Sequence, residues 1–241
     1  MEALNCFYFD GESSMDYGIK IDSPAAISGA ERSITLQEVP GRNGALILDD
    51  GYYNNLDVSY DTWIKCPGID DRAAWARRLK GWLLSKPGEY RVLYDSYDGN
   101  YCRFACYSGG LDISVSTRLV VQQTITFTAK PMSYLRSGLR LREISRGEIF
   151  VNPHRFEALP YIKITGNGDV DLHVGDKSWK IKDVDGYVEM DSERMSTYKG
   201  TQALNNHKEG DGYPTLPTGH VSITWDGDIT KVEMIPRWCT L

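Results

Sequence analysis

The sequence contains no apolar run approaching the roughly 20 residues of a membrane-spanning helix, so a helical membrane protein is excluded. Its opening stretch, MEALNCFYFDGESS, is acidic and lacks the basic-then-apolar order of a secretion signal, which predicts synthesis and folding in a cytoplasm. Positive charge is not in excess. Lys and Arg number 27 against 33 Asp and Glu, for a formal net charge of −6. A dedicated nucleic-acid binder needs a basic surface that displaces counterions from phosphate, and this balance argues against one. Cysteines are few and odd in number, at positions 6, 66, 102, 106 and 239, with no CxxC pair, which disfavours zinc ribbons and a disulfide framework. Cys102 and Cys106 fall in an alternating segment, where four residues span about 13 Å, too far for a bridge. Free thiols acting as small hydrophobes are expected.

Motifs that carry chemistry are also missing. There is no GxSxG, HExxH, Walker A or GxGxxG. The four histidines, 154, 173, 207 and 220, lack metal-ligand spacing. Asp49-Asp50 and Asp70-Asp71 are adjacent pairs, and neighbours on a strand point to opposite faces, so they are poor acid/base partners. Asp169, Asp171 and Asp176 near Gly166-Asn167-Gly168 fail the spacing of a calcium loop, and Asp169 and Asp171 read as the solvent side of a strand. The chain is expected to be no enzyme and to need no cofactor. A glycosidase whose carboxylates come from separate strands is a reading that spacing alone leaves open.

What the sequence does have is β pattern. The 241 residues are 41% hydrophobic and 25% charged, the composition of a folded chain long enough for one large or two ordinary domains. Leu56, Val58, Tyr60, Thr62 and Ile64 alternate with polar neighbours, which places them on one sheet face. The same period recurs in Val121, Gln123, Ile125, Phe127 and Ala129, in Ile162 and Ile164, in Val170, Leu172 and Val174, and in Val221, Ile223 and Trp225. Asn43-Gly44, Asp50-Gly51, Asp98-Gly99, Asn167-Gly168, Asp185-Gly186 and Asp226-Gly227 read as hairpin turns, since type I′ turns need positive φ at both central residues. Antiparallel sheets follow. One helix is predicted, with Asp70 and Asp71 capping its start, Trp75, Leu79, Trp82 and Leu83 forming its apolar face, and Pro87-Gly88 stopping it. Arg72, Arg77, Arg78 and Lys80 lie mostly off that face and read as solvated. Alternation fades over 131–160, which holds five arginines between 136 and 155. We read residues 1–140 as a first domain, 141–156 as a linker and 157–241 as a second, a compact β-sandwich.

Aromatic residues are plentiful: 15 Tyr, 6 Trp and 6 Phe. Sandwich cores, sugar sites and protein interfaces all use them. Trp179 and Trp225 are the candidates for a carbohydrate platform in the second half, although their apolar partners in alternating runs favour packing. Near the N-terminus, Val39-Pro40-Gly41 should end a strand, because Pro40 has no amide donor and Gly41 tolerates unusual φ. Arg42 is then displayed beside Asn43-Gly44, with five fixed donors suited to carboxylates or carbonyls across an interface.

Three stretches together resemble the distal tail (Dit) family, the hub component of long-tailed siphophages. They are FYFDGESSMDYGIKI, then EVPGRNGALILDDGYYNNLDVSYD, then the helix followed by LLSKPGEYRVLYDSYDGNYCRFA. Glu38, Val39, Pro40, Gly41, Arg42 and Gly44 stand at the positions of the family's E-V-P-G-R-x-G stretch, followed by Asp50, Gly51, Tyr53 and Asn55. The C-terminal half is similar more loosely and ends, like the family, in P-R-W; Val221 and Ser222 stand where Asn is common. The resemblance implies a mainly β fold, with an N-terminal β-sandwich or split-barrel ring domain bearing one helix and a galectin-like C-terminal sandwich. It implies a virion structural protein, a homohexameric ring joining the major tail tube protein to tail-tip and baseplate proteins, able to hold a receptor-binding protein. DNA would pass through its lumen without specific binding, and the acidic charge suits that passage. Assembly would take place in a host bacterial cytoplasm, the host being Gram-positive if the chain comes from a prophage. Val39, Pro40, Gly41, Arg42, Asn43 and Gly44 become ring or partner contacts in this reading; the alternative is a carbohydrate-binding module for host cell-wall recognition. The C-terminal domain has no room for an inserted binding module.

Overall fold

The computed structural model describes residues 5–24, 28–110 and 120–241. The chain divides into two compact units, Met1–Ser133 with Leu241, and Tyr134–Thr240.

The first unit contains β1 (Phe7–Phe9), β2 (Glu12–Ser13), β3 (Ile19–Ile21), β4 (Arg32–Gln37), β5 (Leu46–Tyr53) and β6 (Leu56–Lys65). Helix α1 (Ile69–Leu84), β7 (Arg91–Asp95), β8 (Tyr101–Cys106) and β9 (Val120–Leu135) follow. Seven strands lie side by side in the order β2-β1-β7-β8-β9-β6-β3. The period-two pattern of β6 is obeyed: Tyr60, Thr62 and Ile64 are buried while Asp57, Ser59, Asp61 and Lys65 are exposed. Ile125, Phe127 and Ala129 of β9 fill the same core.

Helix α1 closes that core with Leu79, Trp82 and Leu83, all buried. Trp82 sits in a column of rings. Tyr17 stacks on it at 4.3 Å and 2°, Phe7 lies on its other side at 5.8 Å and 8°, and Tyr60 stacks on Phe7 at 5.0 Å. The Trp82 indole N–H donates to the Phe9 carbonyl at 2.9 Å. Arg91 holds the far end of the helix. Its guanidinium lies over the Phe9 ring and donates to the carbonyls of Trp82 and Leu83, which lack intrahelical partners at a C-terminus. Two expectations for the helix are corrected. Gly68, with no side-chain bond, occupies the cap, because helical geometry begins at Ile69 and leaves Asp70 and Asp71 inside the first turn, where they still favour the dipole. Arg72 is buried, since it lies three residues before Trp75 on the inner side.

The second unit contains β10 (Arg142–Glu143), β11 (Glu148–Asn152), β12 (Tyr161–Val174), β13 (Lys177–Asp191), β14 (Ser196–Lys199), β15 (Gln202–Ala203), β16 (Lys208–Glu209), β17 (Gly219–Ile235) and β18 (Cys239–Thr240). Its sheet runs β10-β17-β12-β13-β14-β15, with β11 also on β17 and β16 on β13. Residues 141–156 therefore carry two strands of this sheet. At two and five residues they are too short to leave an alternation in the sequence. Ile162, Ile164, Val170, Leu172, Val174, Val221 and Ile223 all reach the core.

Most of the Asn-Gly and Asp-Gly pairs are not hairpin turns. Asn167-Gly168, Asp185-Gly186 and Asp226-Gly227 lie in the middle of β12, β13 and β17, where the register shifts at Thr165/Gly166, Gly168/Val170 and Asn167/Asp171. The strands bend there and their backbones close in. A Cβ on Gly227 would meet the Asp169 carbonyl at 2.6 Å, and one on Gly166 would meet the Asp228 carbonyl more closely still. The two-residue turn between β12 and β13 is Gly175-Asp176 instead. All five cysteines are free, Cys106 half-buried and the others buried.

The closing P-R-W stretch has a structural cause. Arg237 takes φ +57 and donates to both oxygens of Asp191, at 2.6 and 3.0 Å. Trp238 lies against Gly138, where no side chain would fit. Burial pushes the Asp191 carboxyl up, but the Arg237 guanidinium outweighs it and holds the group below the ordinary aspartate value. Arg237→Ala leaves a buried carboxylate without its main partner and should lower stability by about 3 kcal/mol near neutral pH. The native carboxyl binds its proton less tightly than the unfolded one. The pair's contribution is thus complete above the unfolded value of about 3.9 and is lost as pH falls through the lower native value. Urea midpoints of wild type and Arg237→Ala should converge in acid, and a gap that persists unchanged to about pH 2 would contradict this role.

Candidate interface hairpin

Strands β4 and β5 form a sheet of their own, joined to none of the other described strands. The Asn54 amide closes its base on the Glu31 carbonyl at 2.9 Å. One end is fixed by polar contacts: Arg32 donates twice to Asp49, both at 2.8 Å, and lies over the Tyr53 ring, while Ser33 donates to Asp50 at 2.7 Å. Arg32 and then the Gly51 amide hold the Asp49 carboxyl below its usual range. Asp50-Gly51, expected as a turn, lies within β5, where Gly51 takes φ +84. Asp49 and Asp50 do face opposite sides.

Beyond that clasp, apolar side chains stand in water on both faces. Opposed pairs share a face, so Ile34, Leu36 and Ile47 lie together, while Leu46 and Leu48 share the other with Thr35 and Gln37. Leu36 is 62% exposed and Ile47 64%. An isolated two-stranded hairpin is at best marginally stable in water, and both its strands are edges. Exposed apolar patches of this kind mark association surfaces.

The predicted loop forms the tip. Val39, Pro40, Gly41, Arg42, Asn43 and Gly44 are all exposed and lie between the two strands. The Arg42 amide closes a turn on the Val39 carbonyl at 3.1 Å. Gly41 and Gly44 both take φ +82, while Asn43 keeps negative φ, so the tip is a wider loop than a type I′ turn. Arg42 is displayed as the sequence implies. The apolar faces beside it were not singled out from the sequence, although Leu46-Ile47-Leu48 carries the signal: three consecutive apolar residues in a strand must load both faces.

The carbohydrate candidates are placed differently. Trp179 is 1% exposed, and its indole N–H donates to the Asp211 carbonyl at 3.0 Å. Trp225 is half-buried against the same core. Leu172 lies between them on the middle strand, opposite both. They pack rather than present a platform. On the helix, Arg78 lies over the Tyr17 ring and donates to the Asp16 carbonyl, so part of the basic face is used within the chain.

Asp169 pairs with Lys180 and accepts from the Asp183 amide. Among the described residues no cluster of His, Cys, Asp and Glu suits a metal, and no helix is long and apolar enough to cross a membrane.

No protein-family model matches the chain, and no curated protein matches it by sequence. Solved structures do match over its whole length. The Dit (gp 19.1) protein of phage SPP1, described as a paradigm of the hub adsorption apparatus in phages infecting Gram-positive bacteria, superposes with a TM-score of 0.70. That match covers 98% of this chain and 99% of the SPP1 protein at 12% identity. A chain of the phage p2 baseplate in its activated conformation with Sr superposes at 0.54, covering 96% and 97% at 10% identity. A chain of the activated P2 baseplate with Ca superposes at 0.50, covering 90% and 89% at 11% identity. Identities this low speak for the fold alone, and the mainly β fold with a single helix is the one the sequence motifs imply. The chain has the fold of the phage distal tail (Dit) hub proteins.

Proposed function

We propose that this protein is a non-enzymatic structural component of a phage tail tip. Copies of it assemble as a ring that joins the tail tube to tail-tip and baseplate proteins. The observation that carries this reading is the free-standing β4–β5 hairpin, whose apolar faces and Arg42 tip have no partner element within the described chain. A surface patch that meets a different patch on the next copy generates a closed ring when the rotation closes. The whole-length likeness to hub proteins supports the same reading, and six copies is the number the family resemblance implies.

The ring's lumen would carry DNA. The outer face shared by β6 and β9 suits that role. Asp61 accepts from Thr124 at 2.6 Å, Ser59 bonds Thr126 at 2.9 Å and Asp57 accepts from Thr128 at 3.2 Å. No Lys or Arg falls between Asp57 and Trp63 or between Gln122 and Thr128. Thr124 and Thr128 already donate to exposed carboxylates and Ser59 and Thr126 bond each other, so this stretch, short of Lys65 at the strand's end, offers a phosphate backbone few donors and some repulsion.

Light scattering tests the ring. Six copies weigh about 163 kDa (6 × 27.2 kDa). Arg42→Glu and, separately, Ile47→Asp should abolish that species while leaving the melting temperature of the folded chain unchanged, since both side chains are exposed. A wild-type chain that stays monomeric alone and with its tube and tip partners would overturn the proposal. For the lumen, Asp57→Lys with Asp61→Lys should retard duplex DNA in a gel where wild type does not, with the retention lost at high salt. Retention of DNA by wild type would refute it.

A further inference from the structure

The aromatic signal in the composition is not absorbed by the hairpin or by the tryptophans. Part of it converges on a cavity of about 290 Å³ in the first unit, close to the lower bound for small-molecule sites. Along β6 the core-side residues pass from buried Ile64, Thr62 and Tyr60 to half-buried Val58 and Leu56. Leu56, Val58 and Leu93 line it with Tyr60, Tyr94, Tyr97 and Tyr101.

Its wall is built in advance. The β7–β8 loop is tied down by Asp95, whose Oδ1 accepts from the amides of Tyr97 and Asp98 and whose Oδ2 accepts from the Tyr60 hydroxyl. Ser96 and Cys6 exchange two more hydrogen bonds, and the Tyr97 hydroxyl donates to Asn5. A loop held this firmly loses little freedom when a ligand arrives.

Three charged side chains line the cavity: Asp95, Asp98 and Arg103. Asp95 already accepts three hydrogen bonds, two from the loop and one from Tyr60. Arg103 gives one hydrogen bond, to the Pro131 carbonyl at 2.7 Å, and among the described residues no carboxylate lies within ion-pair distance of it. The Asp98 carboxylate accepts no hydrogen bond from any described residue, and burial and the neighbouring Asp95 push it up. The cavity thus offers one free acceptor group and one free donor group of opposite charge, between tyrosine rings. An anion would satisfy Arg103 and be repelled by two aspartates. A cation would meet the reverse. A neutral polyhydroxylated ring satisfies both, giving a hydroxyl proton to Asp98 and a hydroxyl oxygen to Arg103 while its C–H face lies on a tyrosine.

We infer that this cavity is a binding site for a neutral saccharide unit. The inference goes beyond the tail-tip role and does not depend on it. The test uses the full chain with labelled Leu and Val methyl groups, titrated separately with methyl glucoside, methyl galactoside and N-acetylglucosamine. At least one sugar should shift the methyls of Leu56, Val58 and Leu93 with a dissociation constant on the order of 1 mM. Asp98→Ala removes a carboxylate that bonds none of the described residues, so it should fold as wild type and bind about tenfold more weakly. Asp185→Ala, a fully exposed change in the second unit, should bind as wild type. Three results would overturn the inference: no methyl shift with any of the sugars up to about a hundred times that concentration, unchanged affinity in Asp98→Ala, or tighter binding of acetate, methylammonium or glycine to the same methyls.

Discussion

The seating of Trp82 between Tyr17 and Phe7 determines how the first unit is put together. Its rings are nearly parallel to both neighbours, and its one polar atom is satisfied by the backbone of β1. Helix, opening strand and the short 3₁₀ turn Ser14–Tyr17 are therefore fixed by a single side chain, with Arg91 securing the helix end to the same strand's Phe9 ring. Aromatic pairs of this kind add to the area they bury because their geometry is specific. The helix cannot slide along the sheet without breaking the stack. Along β6 burial then falls from Tyr60 to half-buried Val58 and Leu56.

The second unit solves a different problem with a different residue type. Three long strands, of 14, 15 and 17 residues, could not stay flat and still enclose a core. Glycines let each strand bend at the same level: at Gly166 and Gly227 a side chain would collide with the neighbouring backbone, and at Gly168 and Gly186 the chain takes φ +74 and +78. Asp191 and Arg237 then bind β13 to the segment just after β17.

Much of this was legible in the residues. Alternation in β6, β9, β12 and β17 gave the faces correctly, because burial on one side of a sheet imposes period two. The helix read correctly from Trp75, Leu79, Trp82 and Leu83. The glycine pairs misled, since Asn-Gly and Asp-Gly report only a need for positive φ or a missing side chain, and a mid-strand bulge has the same need as a turn. Arg72 misled because a long side chain can lie inward with its stem in the core. The tip of the hairpin was legible from Val39-Pro40-Gly41, whereas its isolation was not: whether a strand pair joins a larger sheet is a matter of tertiary packing. The tyrosine cavity was out of reach for the same reason, as Leu56, Leu93, Tyr97 and Arg103 come from three separate strands and a loop.

The two exposed features of the first unit place opposite demands on sequence. The hairpin holds apolar groups in water, which costs solubility and is tolerated only where association soon covers them. The cavity sets tyrosines beside Asp98 and Arg103, which have no ion-pair partner among the described residues. A chain selected only to fold would fill the cavity with a larger side chain at Val58 and replace Ile47 with a polar residue. Either change would add stability or solubility at no cost to Trp82 and its stack. Both features depart from what folding alone would favour, and departures of that kind are expected where a surface serves a contact beyond the chain.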